Sequence, residues 1–299
     1  MAYKMKMTLL ALLISLALLP KYSAEEGFGA PIPLRVVSLY PGHTDNVVAL
    51  GAGDWLVAVS EGDESERSSL LPPNVRRLPI RTGPEAILAL KPDVVLLRSL
   101  VTQVNPHLLG VLERSGVAVH VIDPPSWDDF EDYLIRLAEI LGTDPKEARE
   151  KLENLRADIV QNAARAALSN KKGRPRVFLE GTSRELHTCA PESWAARMIE
   201  LAGGINVASG AVPLREGSSI APWGVERILE TANSTGLDVY LVQQGPMNAV
   251  TLNEVITRPW FGVLNARLAA IPESNMSRPS LLGLEDGGKM LIEIFYGEN

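Results

Sequence analysis

RVVSLYPGHTDNVVALGAGDWLVAVS, residues 35–60, decides the fold class. Arg35 to Tyr40 is a β-branched run bounded by Pro33 and by Pro41-Gly42, and it reads as a buried strand followed by a turn. Thr44 or Asp45 is the expected cap of a short helix, which Gly51 and Gly53 bring to an end. Trp55 to Ser60 is a second strand. Strand, short helix and strand in one stretch form the unit of an α/β fold with a mainly parallel sheet.

The same alternation continues outward. Glu85 to Leu90 predicts a helix, Val94 to Leu97 a strand, Pro106 to Ser115 a helix and Val117 to Ile122 a strand. The middle of the chain changes period. From Trp127 to Leu141, apolar residues at Phe130, Tyr133, Leu134, Leu137, Ile140 and Leu141 recur every 3.6 positions. Asp144-Pro145 opens a longer helix that runs to about Asn170, with Leu152, Leu155, Ile159, Ala163 and Ala166 on one stripe; proline at its first position supports that start. Such a helix is either an ordinary surface helix or a strut along two lobes. Strands and helices then alternate again: strands at Arg176 to Glu180 and Val239 to Val242, helices at Glu192 to Ala202, Val225 to Thr231 and Leu281 to Phe295.

The two halves echo each other. Glu85, Ile87 and Leu88 precede Asp93 and its strand, and Glu226, Ile228 and Leu229 precede Asp238 and its strand. Two related lobes separated by a long helix imply a cleft between them, where small ligands usually bind.

Composition narrows the function. The 299 residues are 46 % hydrophobic and 22 % charged, with a mean hydropathy of +0.06, which excludes a disordered chain and a polytopic membrane protein. A net charge of −7 argues against a nucleic-acid binder that works by its charge. The single cysteine, Cys189, excludes an internal disulfide and a cysteine-cluster metal site. At the N-terminus, Lys4 and Lys6 precede the apolar run Thr8 to Leu19, which is too short to span a bilayer, for which a helix needs about 20 residues. Residues 1–24 therefore read as a cleavable secretory signal ending at Ser23-Ala24, although Tyr22 fits the −3 position poorly; an uncleaved anchor or a buried helix is the other reading. No cysteine follows the run, so a lipoprotein signal is not expected. Cleavage would remove three lysines and no acid, taking the net charge to −10.

Catalytic signatures are missing. GAGDWL at Gly51 lacks the third glycine of a dinucleotide loop and follows a helix instead of a strand. There is no phosphate-binding P-loop and no nucleophile elbow. His43, His107, His120 and His187 form no close pair; a zinc or manganese site using His43, His187 and a carboxylate is the alternative to a chelate site. An α/β enzyme of the envelope is a third reading, against which the missing nucleophile argues, so an enzyme is not expected.

Residues 35–60, together with PEAILALKPDVVLL (84–97), LAGGINVA (201–208), APWGVERIL (221–229) and SRPSLLGLEDGGKMLIEIFY (277–296), resemble the class III periplasmic substrate-binding proteins of ABC importers, the iron–siderophore and cobalamin group. The resemblance runs in order through residues 35–296. It implies two Rossmann-like α/β lobes with mainly parallel sheets, residues 25–142 and 171–299, joined by an interlobe helix at 143–170. It further implies a metal chelate (ferric siderophore, corrinoid or haem) held between the lobes by a monomer and delivered to an inner-membrane ABC permease, with no cofactor and no nucleic acid. The positions matching family ligand contacts are Tyr40, His43, Glu61, Arg81, Arg98, the Glu180 to Thr188 loop, Trp194, Trp223, Gln243, Gln244 and Arg278. Glu85 and Glu226 match the acids that meet arginines of the permease; each carboxylate also simply favours a helix N-terminus, worth about 0.3–1 kcal/mol. Trp194 and Trp223 equally read as core residues, and the arginines as solvated ones. Two features depart from the family: Pro79 stands where the cobalamin binder has tryptophan, and W-G-V-E is shorter than the usual W-x-x-x-S-x-E.

Overall fold

The strand at the head of residues 35–60 is Val36–Ser38 (β1), the centre of a five-stranded sheet. With Leu56–Ser60 (β2), Arg76–Leu78 (β3), Val94–Leu97 (β4) and Ala118–Val121 (β5), the order is β3-β2-β1-β4-β5, and every pairing is parallel. The computed structural model describes residues 33–63, 67–169, 171, 173–183 and 186–297, so the expected signal at 1–24 lies outside the described residues.

A second parallel sheet lies further along the chain. It comprises Arg176–Glu180 (β6), Ile205–Asn206 (β8), Val239–Gln244 (β10) and Arg267–Pro272 (β11) in the order β11-β10-β6-β8. Between them the chain adds a small antiparallel pair, His187–Cys189 (β7) with Ile220–Pro222 (β9).

Alternating side chains of each strand serve two cores, as parallel strands buried on both faces require. Val36, Val94 and Leu96 face one core, and Val37, Val95 and Leu97 the other. In the second sheet, Val177, Leu179, Val239 and Leu241 join the first of these cores, while Phe178, Tyr240 and Val242 form a third. One apolar core thus runs between the sheets. Its filling comes from Phe130–Leu141 (α5), Pro145–Ser169 (α6) and Leu281–Tyr296 (α11). At 1.5 Å per residue, the 25 residues of α6 rise about 37 Å. Helix α11 nests closely on α6 because Gly288 has no side chain: a Cβ there would lie 2.6 Å from Cδ1 of Ile159.

The helix after β1 starts earlier than expected. Pro41–Val47 (α1) has Tyr40 as an extended N-cap and Pro41 in its first turn. Proline's fixed φ suits that position, and it moves Thr44 and Asp45 from the cap into the buried middle of the helix. The helix continues through a wider turn, Val48–Ala52, and breaks at Gly51, whose φ of 81° needs a residue without Cβ.

The internal echo has a structural counterpart. Asp93 Oδ2 accepts from the Arg35 amide at 2.7 Å, and Asp238 Oδ2 accepts from the Arg176 amide at 2.7 Å. In both lobes the aspartate ties the N-terminal edge of the central strand to its neighbour. The acids that start the echo, Glu85 and Glu226, lie exposed in the first turns of Pro84–Leu88 (α2) and Val225–Ser234 (α8).

Candidate functional site

In a parallel sheet the loops at the C-terminal strand ends form the binding edge. In the first lobe these loops carry Tyr40 after β1, Glu61 after β2, Arg81 after β3 and Arg98 after β4. In the second they carry the segments after β6 and β10 and the stretch 273–280 after β11.

Tyr40 is half-buried, and its side chain makes no capping bond. The Arg98 guanidinium lies 5.1 Å from the centre of its ring, a cation–π distance. Burial raises the Tyr40 phenol pKa, and the positive charges of Arg278 and Arg98 oppose that rise. Three of the expected residues, Tyr40, Arg98 and Arg278, therefore converge, although Arg278 is more than 170 residues distant in sequence (roughly 180 to 240 from the others) and joins from the second lobe. Among the described residues, Arg98 Nε and Arg278 Nη1 are buried without a hydrogen-bond partner. Nη1 of Arg278 lies 3.9 Å from Asp45 Oδ2, beyond hydrogen-bond reach.

Behind this group runs a polar network that sequence reading missed. Arg67 Nη1 donates to Asp45 Oδ2 at 2.9 Å, and its Nη2 reaches Asp286 Oδ2 at 2.9 Å and Oδ1 of Asn275. Ser280 Oγ donates to Asp45 at 3.1 Å. Asn46 donates to Pro279 O at 3.2 Å and accepts from the Leu281 amide at 2.9 Å. Helix α1 of the first lobe is thereby stitched to the start of α11. Burial raises the Asp45 pKa, with the Arg67 charge opposing. Nearby Asp63 is pushed by burial up to about 6, although Ser60 and Thr44 hydrogen bonds favour its charged form. No spacing marks Arg67 in sequence; the ERSS run in which it lies reads as an ordinary polar loop.

Two expected ligand contacts are withdrawn by burial. His43 is fully buried, with Nδ1 2.8 Å from the Tyr133 hydroxyl and Nε2 2.9 Å from the Ile122 carbonyl. Burial lowers its pKa to about 4, so the ring is a neutral part of the core. Trp194 is buried at the start of Trp194–Leu201 (α7), 4.7 Å from the ring of Trp127 and 4.8 Å from that of Phe130. His43 belongs to the interior of the first lobe, and Trp194 to the packing between lobes. No three His, Cys, Asp or Glu side chains come together as a metal site among the described residues, and both His43 nitrogens are engaged. The Cys189 thiol is buried and raised to about 11, which makes it unreactive.

The remaining candidates are dispersed along the edge. Glu61 and Arg81 are exposed. Trp223 is half-buried, 6.5 Å from Phe178, with Arg227 5.5 Å from its ring centre. Gln244 spends its amide on the Val250 carbonyl at 2.9 Å, and Gln243 accepts from Ser277. In the loop after β6, Glu180 is fully buried and held by Arg258 at 2.7 and 2.9 Å and by the Tyr240 hydroxyl at 2.6 Å. It supports the wall and offers nothing to a ligand.

Residues 36–266 match the family described as periplasmic binding protein. The vitamin B12-binding protein of Yersinia pestis (strain Pestoides F) is 32 % identical over 203 residues, covering 68 % of this chain and 67 % of that protein. Among solved structures, the siderophore-binding protein of Vibrio cholerae with ferric Desferal superposes with a TM-score of 0.69 at 17 % identity, covering 89 % of this chain and 98 % of that one. A periplasmic haem-binding protein from Pseudomonas aeruginosa gives 0.65 at 21 % identity, with 89 % and 93 % covered. The periplasmic vitamin B12-binding protein of Vibrio cholerae gives 0.56 at 22 %, with 88 % and 98 % covered.

Proposed function

The chain belongs to the periplasmic binding protein family, whose members bind solutes and are not enzymes, and from that membership we propose that it is the solute receptor of an ABC importer. Its ligand is a metal chelate carrying an anionic group: a haem, a ferric siderophore or a corrinoid. It is secreted by the signal at residues 1–24, holds the chelate at the edge where the strand ends of both lobes meet, and hands it to an inner-membrane permease.

The observation that carries this reading is the meeting of Arg98 and Arg278 at Tyr40, one arginine from each lobe, with buried N–H groups lacking partners. A buried donor without a partner costs about 1–3 kcal/mol, and a carboxylate or phosphate placed between the two guanidiniums would recover it. The aromatic face of Tyr40 adds contact area for a flat chelate at small entropic cost. Glu85 and Glu226, on equivalent helices of the two lobes, are the proposed docking acids.

The test is a titration of the purified chain with haem, cobalamin, cobinamide and several ferric siderophores, with zinc and manganese as controls, followed by tryptophan quenching and thermal unfolding. Saturable quenching by one chelate, with a melting temperature that rises with its concentration, supports the receptor reading. A response to bare metal alone would replace it with a metal-ion receptor.

A further inference from the structure

The N-terminal ends of β6, β10 and β11, on the edge of the second sheet opposite the binding loops, border a cavity of about 470 Å³. Arg174, Arg176, Arg267, Asp238, Val239 and Phe295 line it. Three guanidiniums there face one carboxylate among the described residues, within a chain whose net charge is −7.

The first lobe serves as an internal control. In its sheet Val36 pairs with Val94 and Val94 with Ala118; in the second, Val177 pairs with Val239 and Val239 with Arg267. That register sets Arg35 against Arg176, Asp93 against Asp238, Ala118 against Arg267 and Pro33 against Arg174. Both lobes keep the arginine–aspartate pair, which ties the strand edge. Only the second lobe adds two more cations, and the fold of the first lobe shows that this kind of edge closes without them.

Two of these cations are held in place within the second lobe itself, Arg176 by a carboxylate and Arg174 by carbonyls. Arg176 donates to Asp238 through Nε at 2.9 Å and Nη2 at 2.9 Å. Arg174 donates to the carbonyls of Gly203 at 3.1 Å and Gly204 at 2.7 Å. Carbonyl acceptors fix a guanidinium without neutralising it, so the charge remains available to a ligand that arrives later. Val239 and Phe295 supply an apolar wall beside the charges.

We propose that this cavity is a second ligand site, separate from the cleft, that takes the phosphate group of a small molecule or of a lipid headgroup. Arginines favour phosphate because their planar forks donate paired hydrogen bonds to its oxygens.

The purified chain would be titrated by calorimetry with inorganic pyrophosphate and with glycerol phosphate, at low and high salt. Phosphatidylglycerol and phosphatidylcholine vesicles would be tested by co-sedimentation. Saturable binding of one anion per chain is expected, weakening with salt and falling about tenfold or more in Arg267→Ala. Arg174→Gln, on another part of the wall, gives the same loss and guards against misfolding of the first variant. Sedimentation with phosphatidylglycerol alone that Arg267→Ala abolishes assigns the phosphate to a lipid; titration by the free anions without sedimentation assigns it to a soluble molecule. No saturation by any of these probes overturns the proposal. So does binding that survives both variants and is lost in Arg98→Ala, which would place the anion in the cleft.

Discussion

Arg98 and Arg278 are the residues on which the proposed chemistry of the cleft rests, and their test separates charge from shape. Haem carries carboxylates and cobinamide does not, so removing one guanidinium should discriminate between them. Arg98→Ala and Arg278→Ala are each expected to weaken haem binding about tenfold or more while shifting any cobinamide binding far less. Quenching titrations of the two probes read this directly, and equal losses for both would reduce the arginines to packing. His43 and Asp63 make a second prediction at this scale, with opposite signs. The folded pKa of His43 is about 4, below its ordinary 6.5, so its contribution is present above pH 6.5 and is lost as pH falls toward 4. For Asp63 the folded value is about 6, above its ordinary 3.8, so its contribution is present below 3.8 and is lost as pH rises through 6. Each amounts to about 3 kcal/mol by linkage, and between pH 4 and 6 they nearly cancel. Denaturant unfolding of Asp63→Asn should therefore show stability rising with pH across that window, and His43→Gln should show it falling. Parallel slopes in the two variants would refute the assignment.

At the scale of elements, the contact between α1 and the start of α11 depends on Arg67. Its partner Asp45 is almost wholly buried, whereas Asp286 is half-exposed. Breaking a buried pair from one side leaves an uncompensated charge, at a cost of about 3–5 kcal/mol. Arg67→Ala should lose stability in that range, and Asp286→Asn distinctly less; equal losses in urea unfolding would show that the network is not organised around Asp45. This network also marks where sequence reading stopped. The strands at Val94–Leu97 and Arg176–Glu180, and the helix opened by Pro145, were legible because short apolar runs and a first-turn proline are local signals. The short β3 was missed because Arg76-Arg77-Leu78 has neither alternation nor β-branching. The placement of α1 was missed because Pro41 outcompetes Thr44 and Asp45 as a helix start. Within the candidate site, Tyr40, Arg98 and Arg278 were nominated through family motifs, and the structure brings the three together. The burial of His43 and Trp194 depends on Tyr133, Ile122, Trp127 and Phe130, contacts that no local pattern encodes.

For the whole molecule, the continuous core shared by both sheets, α5, α6 and α11 resists a wide hinge. Small-angle scattering should show closure of only a few degrees on adding a ligand; a large change in radius of gyration would exclude that rigidity. Rigid lobes make docking a matter of fixed points, and the docking acids proposed above would supply one such point in each lobe. Glu85 and Glu226 are both exposed in the first helical turn after the strands β3 and β9, at corresponding places in the internal echo. An exposed carboxylate there stabilises its helix by about 0.3–1 kcal/mol, so reversing its charge perturbs the fold little. At the rim of an interface the same reversal opposes a basic partner and lowers the rate of encounter. The double variant Glu85→Arg with Glu226→Arg should thus melt within a few degrees of the parent and keep its chelate affinity, yet fail to stimulate ligand-dependent ATP hydrolysis by the reconstituted permease. Each single variant should retain partial stimulation, since the other lobe still docks. Full stimulation by the double variant would assign both acids to helix capping alone, and loss of chelate binding would place them in the ligand site instead.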